Sequence, residues 1–133
     1  MTRSLLGFAI LVSACGPGID RTATLERLRA AIEEEIDSAQ TLGEHNEIVV
    51  TVSRGDVLNG MRQSEVEAAI GRGQECGTRP ICTGHGFESG DWLYEVGRQD
   101  GLPAGPSLVV GFDRQGFVTG TYYLTRSAPA QAQ

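Results

Sequence analysis

The stretch SLVVGFDRQGFVTGTYYL, residues 107–124, predicts two β-strands joined by a tight turn. Residues 107–112 and 117–124 predict the two strands, and in a strand every second side chain lies on the same face of the sheet. Residues 113–116 (DRQG) predict the turn, with Gly116 at positive φ. The side chains predicted to share one face are Leu108, Val110 and Phe112 in the first strand and Val118, Tyr122 and Leu124 in the second. A connection this short makes the two strands antiparallel.

Upstream of this pair, Asp91–Val96 (DWLYEV) predicts a third strand. Alternation places Trp92, Tyr94 and Val96 on one face. The connection from Gln99 to Pro106 is rich in glycine and proline, which predicts a surface loop. The carboxyl-terminal half of the chain therefore predicts a three-stranded antiparallel sheet.

The segment Asp20–Leu42 predicts one amphipathic helix that ends at Gly43. Its apolar stripe consists of Leu25, Leu28, Ile32, Ile36 and Ala39. Acidic residues cluster beside the stripe, namely Glu33, Glu34, Glu35 and Asp37. They are interpreted as a solvent-facing side of the helix, and a docking surface for a basic partner is the alternative.

The segment between this helix and the sheet predicts one extended piece and two short helices. Glu47–Val52 is rich in β-branched residues and predicts a strand. The Ser-x-x-Asp pattern at Ser53–Asp56 predicts a capping box that begins a short helix through Leu58. The second short helix carries Met61, Val66, Ala69 and Ile70 near one face and ends at Gly71. The predicted fold is α+β: an amino-terminal helix, then two short helices packed on a three-stranded antiparallel sheet.

Cys76 and Cys82 lie six residues apart in the predicted loop Gly73–Gly90. In an oxidising compartment we expect them to form a disulfide, which stabilises a small domain by about 2 kcal/mol through loop closure. The spacing differs from the Cys-x-x-Cys of redox centres. The alternative is a zinc site formed by Cys76, Cys82, His85 and Glu88 or Asp91. That spacing matches no common zinc pattern, so no metal is predicted.

The first residues predict a secretory signal peptide, residues 1–14. Arg3 precedes the apolar run Leu5–Val12, which spans about 12 Å as a helix and is too short to cross a bilayer. Residues 11–15, LVSAC, resemble the bacterial lipobox, which implies a thioether-linked diacylglycerol on Cys15 and a further fatty acyl chain such as palmitate. Ordinary cleavage that leaves a free thiol is the alternative, and a buried helix of the mature fold is another.

An acylated Cys15 predicts a lipid-anchored protein, because two or more acyl chains hold a protein stably on a membrane. Gly16 stands where an Asp typically retains such lipoproteins at the inner membrane, which favours a periplasm-facing position on the outer membrane. The chain carries a net charge of −6, and its arginines are scattered, so nucleic-acid binding is not expected. Residues 126–133 are small and polar and predict a disordered tail.

The order of these elements resembles the SmpA/OmlA (BamE-like) family of small outer-membrane lipoproteins over Val52–Leu124. The matching positions are Gly60, Met61, Val66, Gly71, Trp92, Tyr94, Phe112 and Gly116. The resemblance implies a domain at 52–125, preceded at 15–51 by a lipid-anchored linker and the acidic helix. It also implies two helices on three strands, no catalytic residue and no cofactor. The implied partners are proteins at the outer membrane, barrel-assembly components among them, and the pattern favours a broader relative over a strict counterpart of the assembly factor.

The residues also bear on two further functional classes, an enzyme and a binding module. An enzyme is not expected, since neither His45 nor His85 lies in a nucleophile motif. The resemblance implies a non-catalytic scaffold role in outer-membrane assembly or envelope integrity, and the alternative is a binding or inhibitor module of the same fold that uses its sheet face. The side chains considered for that face are Leu93, Phe117, Thr119 and Tyr123. Packing of these side chains beneath the helix at 20–42 is the other interpretation.

Overall fold

The computed structural model of the chain describes residues 20–127. It has a mixed α+β fold in which helices pack on an antiparallel sheet. The helices are α1 (Arg21–Glu33), α2 (Ala39–Arg54), α3 (Gln63–Ile70) and the single turn α4 (Pro80–Thr83). The strands are β1 (Gln74–Glu75), β2 (Trp92–Glu95), β3 (Arg98–Gln99), β4 (Leu102–Pro103), β5 (Ser107–Phe112) and β6 (Val118–Leu124).

The prediction of a single helix over 20–42 is wrong, because the chain leaves the helical conformation at residues 34–38 and then begins a second helix. The Asp20 carboxylate caps α1 by accepting the Ala23 N–H at 3.2 Å. The Ser38 hydroxyl caps α2 by accepting the Thr41 N–H at 3.1 Å. We call residues 34–38 the joint. The joint lets α1 pack against α2 and α3, so that both long helices contribute to one core on the same face of the sheet.

Helix α2 replaces the strand predicted at 47–52, and the short helix predicted from Ser53 through Leu58 is also wrong, because α2 ends at Arg54 and residues 55–60 form a turn. Its buried residues are Leu42, His45, Ile48, Val49 and Val52, which recur at helical spacing. Burial of this stripe overrides the strand preference of β-branched residues, which is weak and depends on context. Gly43, predicted as a stop, lies inside α2. The predicted boundary between residues 51 and 52 falls within this helix.

Among the described residues the main sheet has four strands in the order β1-β2-β5-β6, all antiparallel, rather than the three predicted. The additional strand β1 is two residues long and pairs with the start of β2. The pairing of β5 with β6 through a tight turn is as the sequence predicts. The predicted loop at 99–106 contains most of a second, two-stranded ladder, β3–β4, which we call the small hairpin.

A bulge in β6 changes which of its side chains face the helices. Gly111 pairs with Gly120 but Phe112 pairs with Val118, so Thr119 has no partner in the ladder. The bulge therefore reverses the alternation of the β6 side chains between the two faces of the sheet. Val118 belongs to the core beneath the helices, whereas Tyr122 packs on the opposite face of the sheet. The prediction that Val118, Tyr122 and Leu124 share a face is therefore wrong.

Both faces of the sheet are covered. The main core lies between the sheet and the first three helices, and it includes Leu25, Leu28, Ile48, Val49, Val52, Leu58, Val66, Trp92, Tyr94, Leu108 and Val110. On the outer face, the residues Cys76, Cys82, Leu93 and Val109 form a second cluster with Ile81, Phe87 and Tyr122, which we call the outer cluster. The residues before and after position 52 thus share one core.

The chain beyond β6 is partly ordered by α2. The Asn46 amide donates to the Arg126 carbonyl at 2.8 Å and its oxygen accepts the Arg126 N–H at 3.0 Å. The first residue of the predicted tail is therefore hydrogen bonded, and residues 128–133 lie outside the described residues. The predicted signal peptide and Cys15 lie outside them as well.

The joint is fastened to the small hairpin by main-chain hydrogen bonds. Ile36 N donates to Arg98 O at 2.7 Å, and Arg98 N donates to Glu34 O at 3.0 Å. Gly97 stands at this crossing with φ +123°, and a Cβ there would collide with the Ile36 side chain and lie 2.7 Å from His45 Nδ1. The crossing therefore requires a residue without a side chain.

We expect Gly97→Ala to lower the free energy of unfolding by about 1–3 kcal/mol, through steric overlap and an unfavourable φ. The matched control is Gly43→Ala, where a Cβ meets nothing within 4 Å. Alanine in an exposed helical position is favoured over glycine, so this control should stabilise by about 0.5–1 kcal/mol. Denaturant unfolding measures both variants. Equal stability of the two variants would contradict the crowding at the joint.

Candidate functional site

The residues shared with the SmpA/OmlA pattern lie at contacts between elements. Gly60 adopts φ +78° and donates its N–H to Val118 O at 3.0 Å, while Val118 N donates to Met61 O at 2.8 Å. The turn after α2 is thereby attached to the start of β6. Gly116, at φ +85° in the β5–β6 turn, accepts the Gln63 N–H at 2.8 Å. These two glycines hold the beginning of α3 against the sheet.

Helix α3 is fixed at both ends. The Glu65 carboxylate accepts the Arg62 N–H at 3.1 Å, which forms half of a capping box. Val66 is fully buried, and Gly71 ends the helix at φ +85°. The Tyr94 hydroxyl donates to Gly71 O at 2.7 Å, so the end of α3 is tied to strand β2.

Trp92 completes this arrangement from the sheet side. Its ring packs edge-on against Phe112 with 5.1 Å between centroids, and the Arg72 guanidinium lies 5.6 Å from its centroid. The family-pattern residues thus join α3, β2, β5 and the two turns. Nearly all of them are buried or in turns, so they support the fold and do not themselves form an exposed binding surface.

The outer cluster places the two cysteines together. Their Sγ atoms are 2.11 Å apart, at disulfide distance, in the segment that folds over β2 and β5. His85 lies beside them and stacks on Tyr122, with 3.9 Å between ring centroids. Cysteines in this arrangement are not available as zinc ligands. In residues 20–127 no group of three or more His, Cys, Asp or Glu side chains could hold a metal ion.

The side chains considered for a binding face do not form the exposed surface that a binding or inhibitor module would need. Leu93 is 3% exposed because the outer cluster covers it. Tyr123 lies on the helix side of the sheet, where the Arg54 guanidinium donates to its hydroxyl at 3.0 Å. Phe117 is partly covered by the guanidinium of Arg62, 5.5 Å from its centroid. Only Thr119 of the set is exposed.

The acidic run belongs to the end of α1 and the joint, and its carboxylates bind groups of the same chain. The contacts are Glu33 with Arg98 Nε at 3.4 Å, Glu34 with His45 Nε2 at 3.3 Å, Glu35 with the N–H groups of Asp100 and Gly101 at 3.1 and 3.2 Å, and Asp37 with Thr41 Oγ1 at 2.8 Å. All four side chains are exposed, as the solvent-facing interpretation expects, but they lie at the end of α1 and in the joint and not along one continuous helix. The Glu33–Arg98 pair is exposed and contributes little, but the other three contacts shape the joint.

His45 is buried at the centre of this region. Its Nδ1 lies 2.9 Å from Val96 O, and its Nε2 lies 3.3 Å from the Glu34 carboxylate. Both neighbours are acceptors, so the ring donates to both when both of its nitrogens carry a proton. His45 thus links α2 to the joint and to the end of β2, on the other side of the sheet from His85.

A groove of about 960 Å³ lies between the joint, the start of α2 and the small hairpin. Its lining includes Ile36, Asp37, Ser38, Leu42, Gln99, Asp100, Ala104 and Arg126. Leu102, at the tip of the small hairpin, is 69% exposed. The groove combines carboxylates, one guanidinium and a few apolar side chains.

Sequence reasoning missed two structurally important carboxylates. Asp91 is buried and accepts the Glu88 N–H at 2.8 Å and the Phe112 N–H at 3.0 Å, so it ties the cysteine-containing segment to β5. Glu35 holds the turn of the small hairpin through two main-chain N–H groups. The Gly90-Asp91 step before an apolar strand was the available signal for Asp91, and the sequence carries no local signal for Glu35.

Comparison of the chain with protein-family models, with curated proteins and with solved structures finds no match. Over residues 20–127, none of the helices has both the length and the hydropathy needed to cross a bilayer. The function is therefore inferred from the chain itself.

The buried Tyr94 makes a pH-dependent prediction. Burial raises the pKa of its phenol well above the ordinary value of 10.0, because the charged phenolate would lose its hydration. The folded state therefore holds a proton that the unfolded state releases. The contribution of protonated Tyr94 to the free energy of unfolding is fully present below about pH 10. It is lost as the pH rises further, at about 1.4 kcal/mol per pH unit.

We expect Tyr94→Phe to cost about 1 kcal/mol near neutral pH, where the bond to Gly71 is lost, and to reduce the alkaline loss of stability. Tyr123→Phe is the control, since it removes the hydroxyl of a partly exposed tyrosine, bonded to Arg54, and leaves Tyr94 in place. Denaturant unfolding between about pH 8 and about pH 11 measures both slopes. An alkaline slope unchanged by Tyr94→Phe would show that another group causes it.

Proposed function

We propose that this chain is a lipid-anchored outer-membrane protein with a non-catalytic scaffold role in outer-membrane assembly or envelope integrity. The observation that carries the proposal is the sequence LVSAC at 11–15, where an apolar run and two small residues lead directly to Cys15. Because Cys76 and Cys82 lie at disulfide distance, Cys15 is the cysteine left over, and acylation accounts for it.

The pair formed by Cys76 and Cys82 supports an extracytoplasmic location independently of residues 11–15. Disulfides persist in oxidising compartments such as the periplasm and are rare in the cytosol. The pair stands in the buried outer cluster, where both cysteines are fully covered. A protein exported by a signal peptide would form this disulfide in the periplasm, which is where the proposal locates the domain.

The resemblance to the SmpA/OmlA (BamE-like) family supplies the proposed class of activity. Helices on an antiparallel sheet agree with that fold in outline, and the fourth strand and the second long helix favour a broader relative. The two histidines also support a non-catalytic role. His45 is engaged by Val96 and Glu34, and His85 stacks on Tyr122 while its Nδ1 lies 2.9 Å from Ile81 O.

The distance between the proposed anchor and the fold is short. Four residues separate Cys15 from Asp20, and the five steps along the chain limit the connection to about 18 Å even when fully extended. The start of α1 therefore lies close to the membrane in this proposal, and the joint lies at the other end of this helix, which is about 20 Å long. We place the joint, the groove and the small hairpin on the side that is available to partners. Tethering raises the effective concentration of that side for other membrane-bound proteins.

We expect Cys15→Ala to move the protein from the membrane fraction to the soluble fraction, because the acyl chains provide the attachment. Gly16→Asp is the matched control, since it keeps Cys15 and should leave the protein membrane-bound. Fractionation followed by mass spectrometry of the amino-terminal peptide measures both. Unchanged membrane attachment of Cys15→Ala, or an unmodified Cys15 in the native protein, would refute the anchor.

The scaffold role is tested by affinity purification from envelopes solubilised in detergent, with the lipid intact. We expect the wild-type chain to co-purify with outer-membrane proteins, and barrel-assembly components are the specific partners expected. Cys15→Ala, which keeps the folded domain but loses the anchor, should recover much less of them. Absence of barrel-assembly components would refute that specific role while leaving the anchor unaffected.

A further inference from the structure

Strand β6 forms one edge of the main sheet within residues 20–127. An edge strand presents unpaired N–H and C=O groups, and proteins protect such edges with charged residues, prolines, bulges or short strands. The beginning of β6 is protected in two ways, since Thr119 forms the bulge and Val118 is hydrogen bonded to the turn at Gly60 and Met61. The following five residues, 120–124, contain neither a proline nor a charged side chain.

The register of the sheet identifies which main-chain groups point outwards. Val96 N donates to Pro106 O at 2.8 Å, so the even-numbered residues of β5 direct their main-chain groups towards β2. The odd-numbered residues therefore bond to β6. Their partners in the ladder are Gly120, Tyr122 and Leu124. Alternation leaves the N–H and C=O groups of Thr121 and Tyr123 directed away from the sheet.

The composition around β6 is that of an interior strand. Residues 115–125 carry no charged side chain, in a chain whose net charge is −6. The only longer uncharged stretch within residues 20–127 is 101–112, which contains the central strand β5. A strand without charge can approach an identical strand without electrostatic repulsion.

We propose that β6 pairs antiparallel with β6 of a second copy of this chain. In this register Thr121 lies opposite the partner's Tyr123, and the two residues exchange both main-chain hydrogen bonds, as in a hydrogen-bonded antiparallel pair. The two-fold axis passes beside Tyr122. The same surface serves both copies, as an isologous interface requires. The two sheets become one continuous sheet.

The same register accounts for Leu124, which is 53% exposed and one of two large apolar side chains exposed among the described residues. It comes to lie opposite the partner's Gly120. A Cβ at Gly120 would meet nothing within 4 Å, so there is open space for the leucine side chain. Tyr122 of each copy lies between these two contacts. One strand thus supplies both the projecting side chain and the space that receives it.

These features favour a second copy over another partner strand. An acidic or basic peptide would find no opposite charge in residues 115–125. Two-fold pairing instead satisfies the four outward main-chain groups and covers Leu124 twice. The inference does not depend on the lipid anchor, because the pairing uses only residues of the folded domain.

The test is sedimentation of the full chain, purified in detergent, over a wide range of concentration. We expect a monomer–dimer equilibrium for the wild type. Leu124→Lys should raise the dimer dissociation constant at least about tenfold, because it places a charge at the interface. Leu102→Lys is the matched control, since Leu102 is equally apolar and 69% exposed but lies on the small hairpin. It should leave the dissociation constant unchanged.

A photo-reactive benzoylphenylalanine in place of Leu124 tests the register itself. We expect a covalent dimer whose cross-link maps to the segment around the partner's Gly120. A wild type that remains monomeric at every concentration overturns the proposal. Equal weakening by Leu124→Lys and Leu102→Lys, or a cross-link to a different segment, overturns it too.

Discussion

The fold depends on the main-chain bonds between the joint and Arg98. Two helices of 13 and 16 residues must both place an apolar stripe on the same face of one sheet, which requires the chain to turn between them. The turn leaves peptide groups of residues 34–38 without helical partners, and such groups are costly to bury unpaired. Arg98 supplies both a donor and an acceptor to them. A short ladder late in the chain therefore fixes the geometry of two helices that precede it by more than 40 residues.

This arrangement explains why carboxylates concentrate at residues 33–37. Glu35 accepts two N–H groups of the small hairpin, and Glu34 accepts from His45. Hydrogen bonds that involve a charged group are stronger than neutral ones, especially where water is partly excluded. The acidic run thus connects the joint to α2 and to the small hairpin, while its side chains remain exposed to solvent.

The sequence predicted the sheet much better than the helices that cover it. Trp92 and Tyr94 face the helix-side core as their alternation predicts, and β5 and β6 pair through the expected turn. The failures have physical causes. Val49 and Val52 were assigned to a strand from their side-chain type, although their spacing also fits a helix, and only the burial of that stripe decides between the two.

The remaining errors came from long-range contacts. The bulge at Thr119 depends on the pairing of β6 with its neighbours, and no local sequence pattern predicts it. The joint depends on Arg98, which is distant in sequence. The burial of the candidate binding face could not be predicted either, because Leu93 is covered only when the cysteine-containing segment folds over it. Cysteine spacing was the exception, since Cys76 and Cys82 can reach each other through local chain alone.

That cysteine-containing segment enters and leaves the sheet at adjacent points. Cys76 N donates to Asp91 O at 2.8 Å, and Gly77 N donates to Ser89 O at 2.9 Å, so the two ends of the excursion are held side by side. The exposed turn at Gly84–Gly86 can therefore change in length without moving the strands beneath it, provided that the stack of His85 on Tyr122 is kept. It is the natural position in this domain for a reporter, an epitope or a foreign loop.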